Sequence, residues 1–189
     1  MIILLGFPKC GTSSFQKLFT MLGFKSYQWK KNGKFIGMII KENKDQQKKL
    51  LSGFDETDCI TQMDVCVSEK KAYWPQITDY EQIYYENTDA LFILNKRPPL
   101  KLLSSFKNWG NLLKRVHDYS PAIFKNYSDE GFLELINRHY NNVESFFLER
   151  PTSKFISYDI ETDDVSKLST YIDLRDITVF PKVNVSKKK

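Results

Sequence analysis

The stretch that most restricts how this chain can fold is its first fourteen residues, "MIILLGFPKCGTSS". Residues 2–6 form an apolar run too short for anything but a strand, and the run feeds straight into a loop carrying Gly6, Lys9, Gly11 and the hydroxyl residues Thr12, Ser13 and Ser14. Behind the loop, "TSSFQKLFTMLGF" places Phe15, Leu18, Phe19 and Leu22 on one helical face, with Gly23 as the stop. A strand, a glycine loop and an amphipathic helix in that order aim backbone N–H groups and a helix N-terminus at an anion. The two glycines let the backbone curl close to such a ligand, Lys9 adds a mobile positive charge, and the three hydroxyls supply hydrogen bonds. The plainer alternative is a strand-to-helix turn capped by Thr12, with Lys9 in solvent.

Further apolar strand segments fall at 59–64 ("CITQMD"), 90–95 ("ALFILN") and 154–158 ("KFISY"), and helical periodicity fills the gaps. In "SDEGFLELINRHYNNVESFFLERP", Phe132, Leu135, Ile136, His139, Val143, Phe146 and Phe147 recur at three and four, with Ser128 as the cap and Pro151 as the end. Strands separated by helices, with no hairpin dipeptides between them, point to an α/β fold of three layers, α/β/α, around a central parallel sheet. The length of 189 residues fits one domain, placed at 1–185, followed by a basic tail at 186–189. Residues 25–57 carry no pattern that suggests a role.

Charge and cysteine usage narrow the setting. Lys plus Arg number 28 against 23 for Asp plus Glu, a surplus of +5 that suits an anionic ligand or simply solvates the lysine runs. No recognised motif accompanies it, so no nucleic-acid partner is expected. Apolar runs fall far short of the roughly 18 to 20 residues that span a bilayer, and the start has no secretory pattern. Cys10, Cys59 and Cys66 make an odd set without ligand spacing, which argues against a disulfide framework and against zinc. A soluble protein of a reducing, cytoplasmic compartment, with no bound metal, is the expectation.

The spacing within the loop is informative. A nucleotide-triphosphate loop places lysine directly after its last glycine; here Thr12 holds that place and lysine precedes Gly11 by two. The order Pro8-Lys9-Cys10-Gly11-Thr12-Ser13-Ser14 instead resembles the loop of sulfotransferases that use 3′-phosphoadenosine 5′-phosphosulfate (PAPS) and release 3′-phosphoadenosine 5′-phosphate (PAP). A donor with an extra 3′-phosphate needs a second anion site. "ALFILN" runs into "KRPPLKLLSSFKNW", where Arg97 ends the strand, Pro98 and Pro99 suit a helix start, and Ser105 lies two turns on. That interval of eight is similar to the arginine and serine which hold the 3′-phosphate in the family; Ser104 is the neighbouring alternative. "RHYNNVESFFLERPTSKFISYDI" and "FPKVN", with Pro181 and Asn184, resemble a compact branch of the same proteins. The resemblance implies a fold like that of P-loop nucleotide kinases, PAPS bound by Pro8, Lys9, Cys10, Gly11, Thr12, Ser13, Ser14, Arg97 and Ser105, and no metal requirement.

Sulfuryl transfer needs in-line positioning, neutralisation of charge on the leaving oxygen, and a base for the acceptor hydroxyl. Lys9 meets the second need. For the base, Asp64 ends "CITQMD" on the ligand-binding edge of a parallel sheet and stands first, with His117 and His139 behind it. His139 also reads as a hydrogen-bonded core histidine and His117 as a loop residue. Tyr73, Trp74, Trp109 and Tyr119 are candidates to line an acceptor pocket, and sugar, lipid, phenol and peptide tyrosine all stay open as acceptors. The competing readings are a nucleotide or small-molecule kinase with a deviant loop, and a family member that binds an adenosine nucleotide without turnover.

Overall fold

The structure, a computed structural model, describes residues 1–183; Asn184 and the tail set at 186–189 lie outside the described residues. Strand β1 (Ile2–Leu4) is the centre of the molecule. It pairs in parallel with β5 (Cys59–Gln62) on one side and β8 (Leu91–Lys96) on the other. Beyond these lie β2 (Ser26–Gln28) and β9 (Phe155–Asp159), giving five parallel strands in the order β2-β5-β1-β8-β9. The chain runs from β1 outward to one side and then crosses to the other, so β1 flanks the switch point where ligands bind at the C-terminal ends of open α/β sheets.

The alternation of side chains along the buried strands builds two cores. Ile3, Leu5, Phe92 and Leu94 point to a layer made with α2 (Ile36–Asp45), α4 (Tyr80–Glu86), α5 (Pro99–Lys107), α6 (Leu112–Tyr119) and α7 (Asp129–Leu148). Ile2, Leu4, Leu91 and Ile93 point to the opposite layer, formed by α1 (Thr12–Met21) and the 3-10 helix Val165–Thr170. This is the three-layer α/β/α arrangement. Among the described residues, no helix is long and apolar enough to cross a membrane.

Local signals act as their chemistry dictates. Gly23 takes φ +86, and Phe24 N–H reaches back to the Phe19 carbonyl at 2.9 Å, closing α1. Ser128 Oγ accepts from Gly131 N–H at 3.1 Å and starts α7. Pro99 opens α5 as its first residue.

The expectation of strands linked only through helices is corrected. Residues 25–57 contribute β2 and an antiparallel pair, β3 (Lys30–Lys31) and β4 (Lys34–Phe35), joined through Asn32 and Gly33 at φ +50 and +81. Asn-Gly is the turn pair that tolerates left-handed backbone at both central positions. A second hairpin pairs β6 (Val65–Ser68) with β7 (Lys71–Tyr73), and the short α3 (Pro75–Thr78) follows.

Candidate functional site

The C-terminal ends of the parallel strands open into one cleft of about 680 Å³. Its wall includes Pro8, Lys9, Gly11, Thr12, Ser13 and Ser14 after β1, together with Arg97 after β8 and Ser105 on α5. The loop and the Arg97 corner, 83 residues or more apart in sequence, therefore face the same space. Cys10 does not: its thiol is fully buried, lies 3.4 Å from Tyr140 Oη, and its N–H is used by the Phe7 carbonyl. Burial pushes that thiol up to about 12.

The loop is held open by its backbone. Gly6 packs so closely on β8 that a Cβ there would stand 2.0 Å from the Asn95 carbonyl oxygen, and Gly11 sits at φ +74 as the N-cap of α1. Lys9 itself takes φ +71, a left-handed conformation that a side-chain-bearing residue adopts only under constraint. The constraint is Asn95: its Oδ1 accepts from Gly6 N–H and its Nδ2 donates to the Cys10 carbonyl, both at 2.8 Å. No side chain caps α1, so its first turn presents N–H groups that the helix cannot satisfy. Thr12 is the first helical residue, not the cap; its hydroxyl donates to Gln62 Oε1 at 3.1 Å.

Lys9 Nζ lies 3.3 Å from the centre of the Trp109 ring. Partial burial, with the positive charge of Arg97 nearby, lowers its pKa to about 8. Arg97 donates to the Lys9 carbonyl at 3.3 Å and pairs with Glu161 at 2.7 Å, while its Nε is buried without a partner. Glu161 also takes Lys101 at 3.0 Å; against partial burial, Lys101 and Arg97 hold it below the ordinary carboxylate range.

At the other end stands Asp64, two residues past the end of β5 and 4 % exposed. Gln62 Nε2 and Gln76 Nε2 each donate to one of its oxygens at 3.2 Å. Burial raises its pKa to about 6, since these neutral donors only partly replace water. Gln28 Nε2 reaches Thr12 Oγ1 and Ser13 Oγ at 2.9 Å, so a line of amides joins the loop hydroxyls to Asp64.

The alternative bases are elsewhere. His139 Nε2 stands 2.7 Å from the Leu5 carbonyl, and burial lowers its pKa to about 4, as befits a core histidine. His117 lies on α6, not in a loop; it is buried and stacked on Tyr127 at 4.3 Å. Of the four aromatics proposed for an acceptor pocket, only Trp109 lines the cleft. Trp74 is fully buried and donates to Ser120 Oγ, and Tyr73 donates to Asp79. Trp29, from the segment without a suggested role, lines the cleft instead.

Gln28, Gln62, Gln76, Asn95 and Glu161 were missed by the sequence reading. Gln62 had a signal, since it precedes Asp64 by two and shares its face. So did Asn95, a polar residue ending an otherwise apolar strand. The site thus gathers two cationic anchors, an unsatisfied helix start and a buried carboxylate on one cleft. Comparison with curated proteins gives no match. The sulfotransferase domain family matches residues 1–120, which carry the loop, Asp64, Arg97 and Ser105. On that match, covering more than half of its length, the chain belongs to the sulfotransferase family.

Proposed function

We propose that the protein transfers a sulfuryl group from PAPS to the hydroxyl of a small-molecule or glycan acceptor, with PAP as the product. The observation that carries this reading is the convergence of the Lys9 loop and the Arg97–Ser105 corner on one cleft. The residues fit the donor's charge: Lys9, Arg97 and Lys182 line the wall against Asp64 and Glu161, and a buried Arg97 Nε lacks a partner. A volume of about 680 Å³ is that of an ordinary ligand cleft. Pro8 through Ser14 would hold the 5′ end through the loop, with Cys10 shaping it from behind, and Arg97 with Ser105 would hold the 3′-phosphate.

When bound, PAPS supplies the sulfuryl group. Lys9 Nζ neutralises charge on the departing oxygen, and Trp109 keeps that ammonium at the cleft wall. Asp64 accepts the proton of the acceptor hydroxyl. A carboxylate of pKa about 6 is ionised at neutral pH yet more basic than an exposed one, which suits a general base. The amides of Gln62 and Gln76 fix its orientation. The reading includes one unit over 1–185 in a reducing, cytoplasmic setting, supported by the three buried free cysteines Cys10, Cys59 and Cys66.

The test is release of PAP from PAPS on mixing the protein with pooled sugars, phenols and hydroxylated lipids. Acceptor-dependent release that disappears in Lys9→Ala is expected. Turnover of Mg-ATP instead would favour the kinase reading, and nucleotide binding without turnover across the pools would favour a non-catalytic relative.

A further inference from the structure

Arg115 is a cation on this cleft that the donor site leaves unused. It sits on α6, which packs on the β6 hairpin partly through Cys66 Sγ, 3.4 Å from the Arg115 carbonyl. Arg115 lines the cleft with Asp64, Cys66, Val67, Trp109 and Leu112, and both Asp64 and Arg115 act electrostatically on Cys66, whereas Arg97 is paired with Glu161. Its Nε is buried without a hydrogen-bonding partner, and among the described residues no carboxylate lies in salt-bridge range of its guanidinium. Asp64 takes its hydrogen bonds from Gln62 and Gln76 instead. Arg97, by contrast, has Glu161. A half-buried guanidinium left unpaired is a planar fork of donors matched to an oxyanion.

We infer that Arg115 is an anchor for an anionic group on the acceptor, so that the preferred acceptor carries a carboxylate, sulfate ester or phosphate as well as the hydroxyl. This rests on the sulfotransferase reading above. With Arg115 holding the anion and Asp64 on the same wall receiving the hydroxyl proton, charge recognition fixes which hydroxyl faces the donor. Trp29 and Trp109 provide flat surfaces for the ring that connects the two groups.

The experiment uses matched probes on PAP-saturated protein, followed by calorimetry: 4-hydroxyphenylacetate against its amide, and methyl glucuronoside and glucose 6-sulfate against methyl glucoside. At least one anionic member should bind about tenfold or more tightly than its neutral match, the scale of a charge-assisted bond. Arg115→Gln should collapse that preference, and Arg115→Lys should restore part of it. Equal binding within every pair, binding of none, or a preference that survives Arg115→Gln would overturn the inference. So would a loss of PAP affinity in Arg115→Gln, which would reassign the residue to the donor. The PAP titration that precedes each run reports on the donor reading separately: if PAP fails to bind, that reading falls while the anion preference is still measured in the ligand-free cleft.

Discussion

Two carboxylates face the same cleft under opposite electrostatics. Asp64 is buried between two glutamine amides and is pushed up to about 6. Glu161 is exposed enough for water to reach it, gripped by Arg97 and Lys101, and held below its ordinary range. The contrast assigns their work. A carboxylate without a cation keeps a proton affinity useful at neutral pH, whereas one with two cations is an acceptor of ion pairs and a poor base. On the proposed mechanism Asp64 is therefore the proton acceptor, and Glu161 is the ion-pair partner that a donor phosphate at Arg97 would have to displace.

The largest effect is expected from removing Lys9, the cation that the proposed mechanism sets against the departing oxygen. Lys9→Ala should lower the transfer rate on the order of 100- to 1000-fold while changing PAP affinity far less, measured by single-turnover kinetics beside calorimetry. Equal losses in both would make Lys9 a simple binding residue.

Asp64→Asn should cost on the order of 100-fold in rate and yet stabilise the fold. Its folded pKa of about 6 lies above the unfolded value, so the folded state binds the proton more tightly. Stability is therefore lost as pH rises from about 4 to about 6, by on the order of 3 kcal/mol, and stays low above that. Thermal unfolding of Asp64→Asn should gain over wild type at pH 8 and lose that gain near pH 4. A variant less stable than wild type at pH 8 would show that Asp64 is a structural partner of Gln62 and Gln76 rather than a strained base.

The pH–rate profile sharpens the same point with no mutation. Activity should rise through about 6 as Asp64 ionises and fall above about 8 as Lys9 loses its proton. The acidic limb should vanish in Asp64→Asn.

The smallest effect is at Glu161. Glu161→Gln frees Arg97 and Lys101, and PAP should bind a few-fold more tightly, with ADP almost unchanged. Weaker PAP binding would mean that Glu161 orients Arg97 for the phosphate instead of competing with it.

Much of this site was readable before the structure because it is local. The β1 loop and the Arg97 corner are each contiguous motifs, and a parallel sheet with strand ends on one edge suffices to bring them together. The amphipathic α7 and its Ser128 cap are equally local. What escaped reading is made across the chain. Gln28 ends a strand of three residues and Trp29 links it to a hairpin of two-residue strands, where hydrophobic alternation has no length to show itself. The Asn32-Gly33 turn was the available clue. Glu161 follows the last strand with nothing in its neighbours to mark it, and only the fold sets it against Arg97. His117 misled in the other direction, since a polar residue beside a serine and a proline reads as loop while Tyr127 and the α6 packing bury it.

The most direct measurement is calorimetric titration with PAP, beside ADP and Mg-ATP, of wild type and Arg97→Ala. Tight binding that requires both the 3′-phosphate and Arg97, with ADP nearly indifferent to the substitution, is the expected result. Preference for Mg-ATP, or PAP binding unchanged in Arg97→Ala, would contradict the assignment of this cleft to a PAPS donor.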